Sequence, residues 1–320
     1  MVSILSIDGG GVRGIIPATF LMEFEKRTGK PICELFDLVA GTSTGGILTA
    51  ALALPNSLGK PEYSAEQVRS AYVEFSETVF HRSMLRSLKT LGGLAGPAYS
   101  PRALESMLEQ LFGSRRLHGT LTEILVTAYD MASSTPWFFK TSFAKYHRAP
   151  EDDPLLTQVV RATTAAPTYF PPLRMEQHCL IDGGMFAANP ALCAYAQARK
   201  LYPEETEFLA VSLGTGSEVH NRPCSEINHW GIAGWAAPIS SVMLNASSAS
   251  VDYQMRTLLG NQDYVRFQIQ LDQDAAKMDD ASDETILRLQ ALAQQAVRLR
   301  SADIDRVCRI LKNRPERRRR

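Results

Sequence analysis

Two units of the same kind follow one another at the start of the chain: an apolar run, a glycine-rich loop and a segment with helical spacing of apolar residues. In the first unit the apolar run covers residues 2–7, the loop residues 8–14 and the helical segment residues 15–27. In the second unit the apolar run covers residues 35–40 and the loop residues 41–46, and a helical segment comes next. Such alternation is typical of parallel sheets, because two parallel strands need a crossover between them. The sequence therefore predicts an α/β fold with a mainly parallel central sheet flanked by helices.

The remaining chain continues this pattern without an internal repeat or a long low-complexity linker. We predict further strands at residues 124–129, 136–140, 178–181 and 208–213, and helices at residues 65–80, 103–112, 155–165, 190–201 and 283–311. We expect Ser301 to divide the last helix by capping its second half. A single domain is the simplest organisation, with a motif core at about residues 3–217, C-terminal helices at about 218–313 and a basic tail at 314–320.

Composition argues against several classes of function. The chain has 320 residues, and its 34 basic side chains equal its 34 acidic ones. A formal net charge of zero gives no reason to expect a nucleic-acid partner. The five cysteines are odd in number and include no C-x-x-C pair, so neither a disulfide framework nor a zinc site is predicted. We expect a reducing compartment, no metal and no cofactor.

The N-terminus and the apolar segments limit how the chain can meet a membrane. Residues 1–7 stop at Asp8 and have no basic lead-in, so they do not resemble a signal peptide. The longest apolar stretch, residues 47–54, is far shorter than the roughly 20 residues that cross a bilayer. The sequence predicts a cytoplasmic protein whose membrane contact is at most peripheral.

The first glycine loop matches G-x-G-x-x-G from Gly9 to Gly14. After a strand and before a helix, this pattern fits a dinucleotide-binding loop, so nucleotide binding is one alternative. That fold also expects an acid about 20 residues later at the tip of the next strand, and no acid stands there. The N–H groups of Gly9, Gly10 and Gly11 can instead bind an anion at the helix N-terminus, with the charge of Arg13 beside them.

The second loop matches the nucleophile elbow, G-x-S-x-G, at Gly41, Ser43 and Gly45. In that motif a serine stands on a sharp strand-to-helix turn, and small neighbours leave its hydroxyl accessible. The helix dipole also favours negative charge that develops on the serine oxygen. The alternative is that Ser43 only caps the helix.

Asp182 is the best-placed candidate for the base that acts on Ser43, because it ends an apolar run and is followed by Gly183 and Gly184. Partial burial would raise the pKa of this carboxyl toward the range of a general base. An ordinary Asp-Gly turn is the alternative structural role. A Ser-His-Asp triad with His220 or His229 also remains formally possible, although neither histidine follows an obvious strand end.

These segments together resemble the patatin-like phospholipases, a family of serine lipid acyl hydrolases. The motifs that carry the resemblance stand in order at residues 8–14, 41–46, 161–172, 182–184, 189–190 and 212–216. The resemblance covers about residues 3–217 and implies a three-layer fold. It implies a Ser–Asp dyad with Ser43 as nucleophile, Asp182 as general base, and the N–H groups of Gly10 and Gly11 as the oxyanion hole, with Arg13 nearby. The implied substrates are phospholipids and other acyl lipids.

Two segments have the composition of a lid or a lipid-facing rim. Residues 84–99 combine glycines with leucines and basic residues, and residues 229–242 contain Trp230 and Trp235. Aromatic packing over a loop would explain the second segment equally well. The acidic residues 272–283 lack the pattern of a calcium loop and are expected to be solvated. A non-catalytic lipid-binding module remains the third functional hypothesis.

Overall fold

The computed structural model describes residues 1–80, 96–147, 152–218, 223–236, 238–272 and 275–314. Eight strands of this part form the main sheet, in the order β5-β6-β3-β2-β1-β7-β9 with β4 also paired to β3, while β8 and β10 form a small separate sheet. The strands are β1 (Val2–Ile7), β2 (Leu38–Thr42), β3 (Glu123–Asp130), β4 (Thr135–Lys140), β5 (Leu173–Met175), β6 (His178–Asp182), β7 (Phe208–Leu213), β8 (Ser217–Glu218), β9 (Tyr264–Phe267) and β10 (Gln270–Leu271).

The centre of the main sheet is parallel. Strand β1 lies between β2 and β7, and β3 and β9 extend the parallel set on the two sides. Strands β1, β2 and β7 are buried along their whole lengths, as expected when helices cover both faces of a parallel sheet. The predicted α/β fold with a mainly parallel sheet is confirmed.

An antiparallel group continues the sheet beyond β3. Strands β4 and β6 pair with β3 in the antiparallel sense, and β5 pairs with β6. Across β3, Thr127 pairs with Thr42 at the end of β2, and Ala128 pairs with Asp182 at the end of β6. The last residues of β2 and β6 therefore lie at nearly the same level on the two sides of β3.

Helices form a layer on each face of the sheet, which gives the three-layer arrangement. They are α1 (Ile15–Thr28), α2 (Ile32–Leu35), α3 (Thr44–Leu52), α4 (Ala65–Val79), α5 (Pro101–Phe112), α6 (Thr141–His147), α7 (Leu156–Thr163), α8 (Gly184–Ala187), α9 (Ala191–Leu201), α10 (Cys224–Ile227), α11 (Ile232–Ala236), α12 (Ile239–Asp263), α13 (Asp283–Leu299) and α14 (Ser301–Asn313). The C-terminal helices are present as predicted.

Side chains of β1 alternate between two separate cores, as the period of two in a strand requires. Leu5 and Ile7 join the larger core, which includes residues of α1, α3, α4, α13 and α14. Val2 and Ile4 join a smaller core on the other face, with alanines of α9 and Met255 of α12. The strand is therefore buried at every position because both of its faces are covered.

Several local predictions need correction. Strand β2 begins at Leu38 rather than residue 35, because residues 32–35 form a short helix. The last helix does divide at Ser301, but Arg300 occupies the N-cap, and the Ser301 hydroxyl accepts a hydrogen bond from Arg27 instead. The chain after residue 217, predicted as helical, also contributes β9 to the main sheet.

The C-terminal tail begins with a residue that packs against the domain. Arg314 forms an ion pair with Asp37 and a hydrogen bond to the Glu34 carbonyl, so it is not a solvated tail residue. Residues 315–320 of the predicted basic tail lie outside the described residues. Among the helices described, none has both the length and the apolar character that crossing a membrane requires.

Candidate active site

Ser43 stands alone between β2 and α3, on a sharp turn. Its backbone has φ 55° and ψ −122°, a conformation that non-glycine residues adopt only under strain. The backbone N–H of Ser43 donates a hydrogen bond of 2.8 Å to the Thr163 hydroxyl on α7. The strained turn places the serine at the N-terminus of α3, as the nucleophile-elbow pattern predicts.

The glycines that flank Ser43 are required by close backbone packing. A Cβ at position 41 would lie 2.2 Å from the Gly45 carbonyl oxygen. A Cβ at position 45 would lie 2.2 Å from the Ile7 carbonyl oxygen at the end of β1. Helix α3 can therefore begin directly against the ends of β1 and β2 only because neither residue has a side chain.

Asp182 reaches Ser43 from the end of strand β6, which pairs with β3 in the antiparallel sense. Its buried carboxylate accepts a hydrogen bond of 2.7 Å from the Gly184 N–H and interacts with the Ser43 hydroxyl. Burial raises the pKa of Asp182 to about 6, while these two interactions act in the opposite direction. The structure thus brings the predicted nucleophile and base into contact.

The two glycines after Asp182 have different surroundings. A Cβ at Gly183 would lie 2.1 Å from the Thr127 hydroxyl oxygen of β3, so this position must lack a side chain. A Cβ at Gly184 would lie 3.1 Å from an Asp182 carboxylate oxygen and 3.5 Å from Leu244 of α12. Gly183 therefore allows the end of β6 to pack closely against β3, and Gly184 supplies the N–H that holds the carboxylate.

The first glycine loop runs beside Ser43. A Cβ at Gly9 would lie 3.2 Å from the Ser43 Cβ. The Gly9 N–H bonds to the Ala188 carbonyl and the Val12 N–H to the Met278 carbonyl. Between them, the N–H groups of Gly10 and Gly11 have no acceptor among the residues that the structure describes. Two successive donors are therefore available next to the serine.

Steric limits hold the same loop against its neighbours. Gly11 has φ +57°, and a Cβ there would lie 2.0 Å from the Met278 carbonyl oxygen. A Cβ at Gly10 would lie 2.3 Å from the Thr215 hydroxyl, and one at Gly14 would lie 2.3 Å from the Thr44 hydroxyl. The glycine pattern thus follows from contact with three other parts of the chain.

Arg13 is buried inside the loop and is not an open positive charge. Its Nε donates to the Gly10 carbonyl at 3.2 Å, and its Nη1 donates to the Ala276 carbonyl at 3.2 Å. Burial lowers the pKa of Arg13 to about 10. The acidic segment 272–283, predicted as solvated, therefore partly packs on the loop through the carbonyls of Ala276 and Met278.

A buried ion pair anchors the start of the loop, and sequence analysis missed it. Arg266 of β9 binds both carboxylate oxygens of Asp8, at 3.2 and 2.6 Å, and also the hydroxyls of Ser212 and Ser248. Burial raises the pKa of Asp8, and the Arg266 charge opposes that shift. The partners are 258 positions apart, and no local pattern links them.

The histidine alternative gains no support from the described residues. The Asp182 carboxylate interacts there with the Ser43 hydroxyl and the Gly184 N–H, and His220 lies outside the described residues. Two other histidines pair with aspartates elsewhere: His118 with Asp153 and His178 with Asp130.

Of the two predicted lipid-facing segments, one can be described. Residues 84–95 of the first lie outside the described residues. In the second, Trp230 and Trp235 pack edge to face at 5.4 Å, and Ile232 between them is 93% exposed. Ile239 and Val242 of α12 are also exposed, so this segment presents apolar side chains to solvent.

The chain is similar to known proteins over the segment that contains most of the motifs. The family model described as patatin-like phospholipase matches residues 5–195. Patatin-like protein 2 of Oryza sativa subsp. indica is 35% identical over 89% of this chain and 81% of its own length, and patatin-like protein 2 of Arabidopsis thaliana is 33% identical over 96% and 84%. A Solanum tuberosum relative with 32% identity, over 88% of this chain and 82% of its own, is named probable inactive patatin-3-Kuras 1.

Proposed function

The chain belongs to the patatin-like phospholipase family, a family of lipid acyl hydrolases, and from this premise we propose that it is a phospholipase A-type esterase with a Ser–Asp dyad. The observation that carries the proposal is the interaction between the Ser43 hydroxyl and the buried Asp182 carboxylate, which lowers the pKa of that carboxyl. The donors of Gly10 and Gly11 beside the same serine support it.

The proposed reaction has two similar halves. Asp182 takes the proton of the Ser43 hydroxyl as the serine oxygen bonds to the ester carbonyl carbon. The carbonyl electron pair moves to its oxygen, and the N–H groups of Gly10 and Gly11 stabilise the oxyanion. The ester C–O bond then breaks, and the leaving alkoxide receives the proton from Asp182. Water repeats these steps on the acyl-Ser43 intermediate and releases the fatty acid.

The environment of Asp182 suits a carboxylate that acts without a histidine. An ordinary aspartate, with a pKa near 3.9, is a weak base. A pKa of about 6 brings Asp182 closer to neutral pH, so it remains ionised at pH 7 and still accepts a proton more readily. The hydrogen bond from the Gly184 N–H holds the carboxylate in place.

Substitution of the dyad tests this proposal. Ser43→Ala and Asp182→Asn should each lower hydrolysis of a p-nitrophenyl ester and of phosphatidylcholine by about 10³-fold or more, because the members of a catalytic unit fail together. Asp153→Asn is a matched control, since Asp153 is also buried and accepts a backbone N–H, from His118, far from Ser43. A fluorophosphonate probe should label Ser43 alone. Full turnover in Ser43→Ala would contradict the dyad.

The same assay separates the alternative functions. Lipid binding without probe labelling and without released fatty acid would favour a lipid-binding module; one relative is itself named probable inactive. Stabilisation by NAD or ATP in a thermal-shift assay, together with an inactive wild type, would favour nucleotide binding by the first loop.

We further propose that the exposed apolar segment 229–242 rests on the lipid surface of a cytoplasmic membrane leaflet. Ile232 is 93% exposed in this segment, and Leu244 nearby on α12 approaches Gly184 beside the dyad. Ile232→Asp should weaken cosedimentation with phosphatidylcholine vesicles by about tenfold, the effect of withdrawing one large apolar side chain from the interface. Hydrolysis of a soluble p-nitrophenyl ester should be unchanged.

Leu58→Asp is the matched control for this surface, because Leu58 is 80% exposed on a different loop. Its vesicle binding should equal that of the wild type. Equal loss of binding in the two variants, or no loss in Ile232→Asp, would contradict a specific lipid-facing segment.

A further inference from the structure

The direction of each backbone N–H in the first loop is set by what holds the carbonyl of the same peptide unit. In a trans peptide the C=O and N–H bonds point in opposite directions. The Gly10 N–H shares its unit with the Gly9 carbonyl, and the Gly11 N–H shares its unit with the Gly10 carbonyl. Groups that bind these two carbonyls therefore aim the two donors.

The Gly9 carbonyl is held by Thr215. The Thr215 hydroxyl donates a hydrogen bond of 2.6 Å to it, and Thr215 is 3% exposed. The second carbonyl, that of Gly10, accepts from the Arg13 side chain at 3.2 Å and from the Arg13 backbone N–H at 3.3 Å. Both peptide units thus have their carbonyls bonded and their N–H groups directed away from those bonds.

Thr215 itself is held on a rigid support. It follows β7, and its two glycine neighbours form hydrogen bonds to the last residue of β9 and to the residue after it. The Gly214 N–H donates to the Phe267 carbonyl at 2.8 Å, and the Gly216 N–H donates to the Gln268 side chain at 2.8 Å. The hydroxyl is therefore fixed relative to the sheet, and not merely to its own loop.

We propose that Thr215 is a positioning residue of the oxyanion hole, which orients the Gly10 N–H through the Gly9 carbonyl. The proposal rests on the function proposed above. It adds a residue that follows β7, the strand that pairs with β1 on the side away from β2. Glycines have few steric limits on their backbone dihedrals, so loss of this hydrogen bond leaves the Gly9–Gly10 peptide unit freer to rotate. Donors aimed before the reaction are the main source of oxyanion stabilisation.

The test compares the kinetics of variants that keep or lack the hydroxyl at position 215. Thr215→Ala should lower kcat for p-nitrophenyl butyrate by about tenfold to a hundredfold, below the loss from deleting a donor outright. KM should change less than about threefold, because the lost interaction belongs to the transition state. Thr215→Ser keeps the hydroxyl and should stay within about threefold of the wild type. If Thr215→Ala does not fold, Thr215→Val replaces it in the comparison with Thr215→Ser.

Thr28→Ala is the matched control. The Thr28 hydroxyl also donates a hydrogen bond of 2.6 Å to a backbone carbonyl, that of Phe24, and Thr28 is 5% exposed at the end of α1. Its loss should lower the melting temperature and leave kcat unchanged. A merely structural hydroxyl behaves in this way, so the kcat effect at Thr215 distinguishes positioning from stability.

Two kinetic outcomes would overturn the proposal: an unchanged kcat in Thr215→Ala, or a Thr215→Ser variant as slow as Thr215→Ala. A wild type without any turnover would instead refute the proposed function. In that case a crystal structure of Thr215→Ala tests whether Thr215 orients the Gly9–Gly10 peptide. A rotated Gly9–Gly10 peptide would support the role of Thr215, and an unchanged one would refute it.

Discussion

At the scale of single residues, Asp182 shows opposing effects on one carboxyl group. Removal from water raises its pKa, and the interactions with the Ser43 hydroxyl and the Gly184 N–H lower it, with burial the larger effect. The resulting pKa of about 6 leaves the group ionised at neutral pH but close to its titration range. The rate of the proposed reaction should therefore fall when the solution is made mildly acidic.

We expect kcat/KM for a soluble ester to be flat above pH 7 and to fall on acidification through about pH 6. A base works only when deprotonated, so at pH 5 the rate should be about tenfold below the plateau. The measurement is a pH–rate profile from pH 4.5 to 8.5. Circular dichroism at each pH provides the control that the protein stays folded. A profile flat down to pH 4.5 would contradict Asp182 as the base.

At the scale of secondary-structure elements, a buried ion pair joins Asp8, the residue after β1, to Arg266 of the C-terminal strand β9, two strands away in the sheet. Asp8 and Arg266 are both almost fully buried, and each would be left as an unpaired charge without the other. Because Asp8 directly precedes Gly9, the same pair fixes the start of the glycine loop. This contact explains why a strand outside the recognised motifs matters for the site.

Arg266→Met should lower the free energy of unfolding by about 3–5 kcal/mol, because the Asp8 carboxylate remains buried without its partner. The double variant Asp8→Asn with Arg266→Met should recover much of that loss. Arg288→Met, which breaks an exposed pair with Asp272, should cost less than about 1 kcal/mol. Urea unfolding measures all three. Similar losses for Arg266→Met and Arg288→Met would contradict this account.

At the scale of the whole molecule, the C-terminal elements complete the core that the first helix begins. Helices α13 and α14 pack on α1. The ring of Phe267 in β9 packs against those of Phe20 and Phe24, with distances between ring centroids of 5.0 and 5.9 Å. The chain after residue 217 therefore covers apolar residues of the motif core. We infer a single cooperative domain from these contacts.

A chain shortened to residues 1–217 should show no cooperative thermal transition, because it exposes the apolar face of α1 and one edge of β7. The full chain should unfold in one calorimetric transition, which serves as the reference. Retention of a sharp transition and of ester hydrolysis by the shortened chain would show that residues 1–217 form an independent domain.

The local pattern of residues sufficed to predict much of the fold and to single out Ser43 and Asp182 as candidates. Strands β1 and β7 were predicted with the bounds they have, because a continuous apolar run between turn residues is a local signal. The neighbouring glycines, Gly41 and Gly45, likewise predict the sharp turn at Ser43. Such features depend on residues within a few positions of each other, which a sequence displays directly.

Only the tertiary structure decided which distant groups complete the site. Thr163 holds the Ser43 backbone, Thr215 holds the Gly9 carbonyl and Arg266 holds Asp8. Thr163 and Thr215 lie within the motifs at residues 161–172 and 212–216, and Arg266 lies outside them. No motif shows which atom a side chain will bind, since a hydrogen bond depends on distance in space and not on separation along the chain. The sequence alone determined the strand-to-helix turns and the residues on them, because backbone preference and apolar spacing act locally. The antiparallel approach of Asp182 and the aim of the loop's N–H groups came from packing across the sheet.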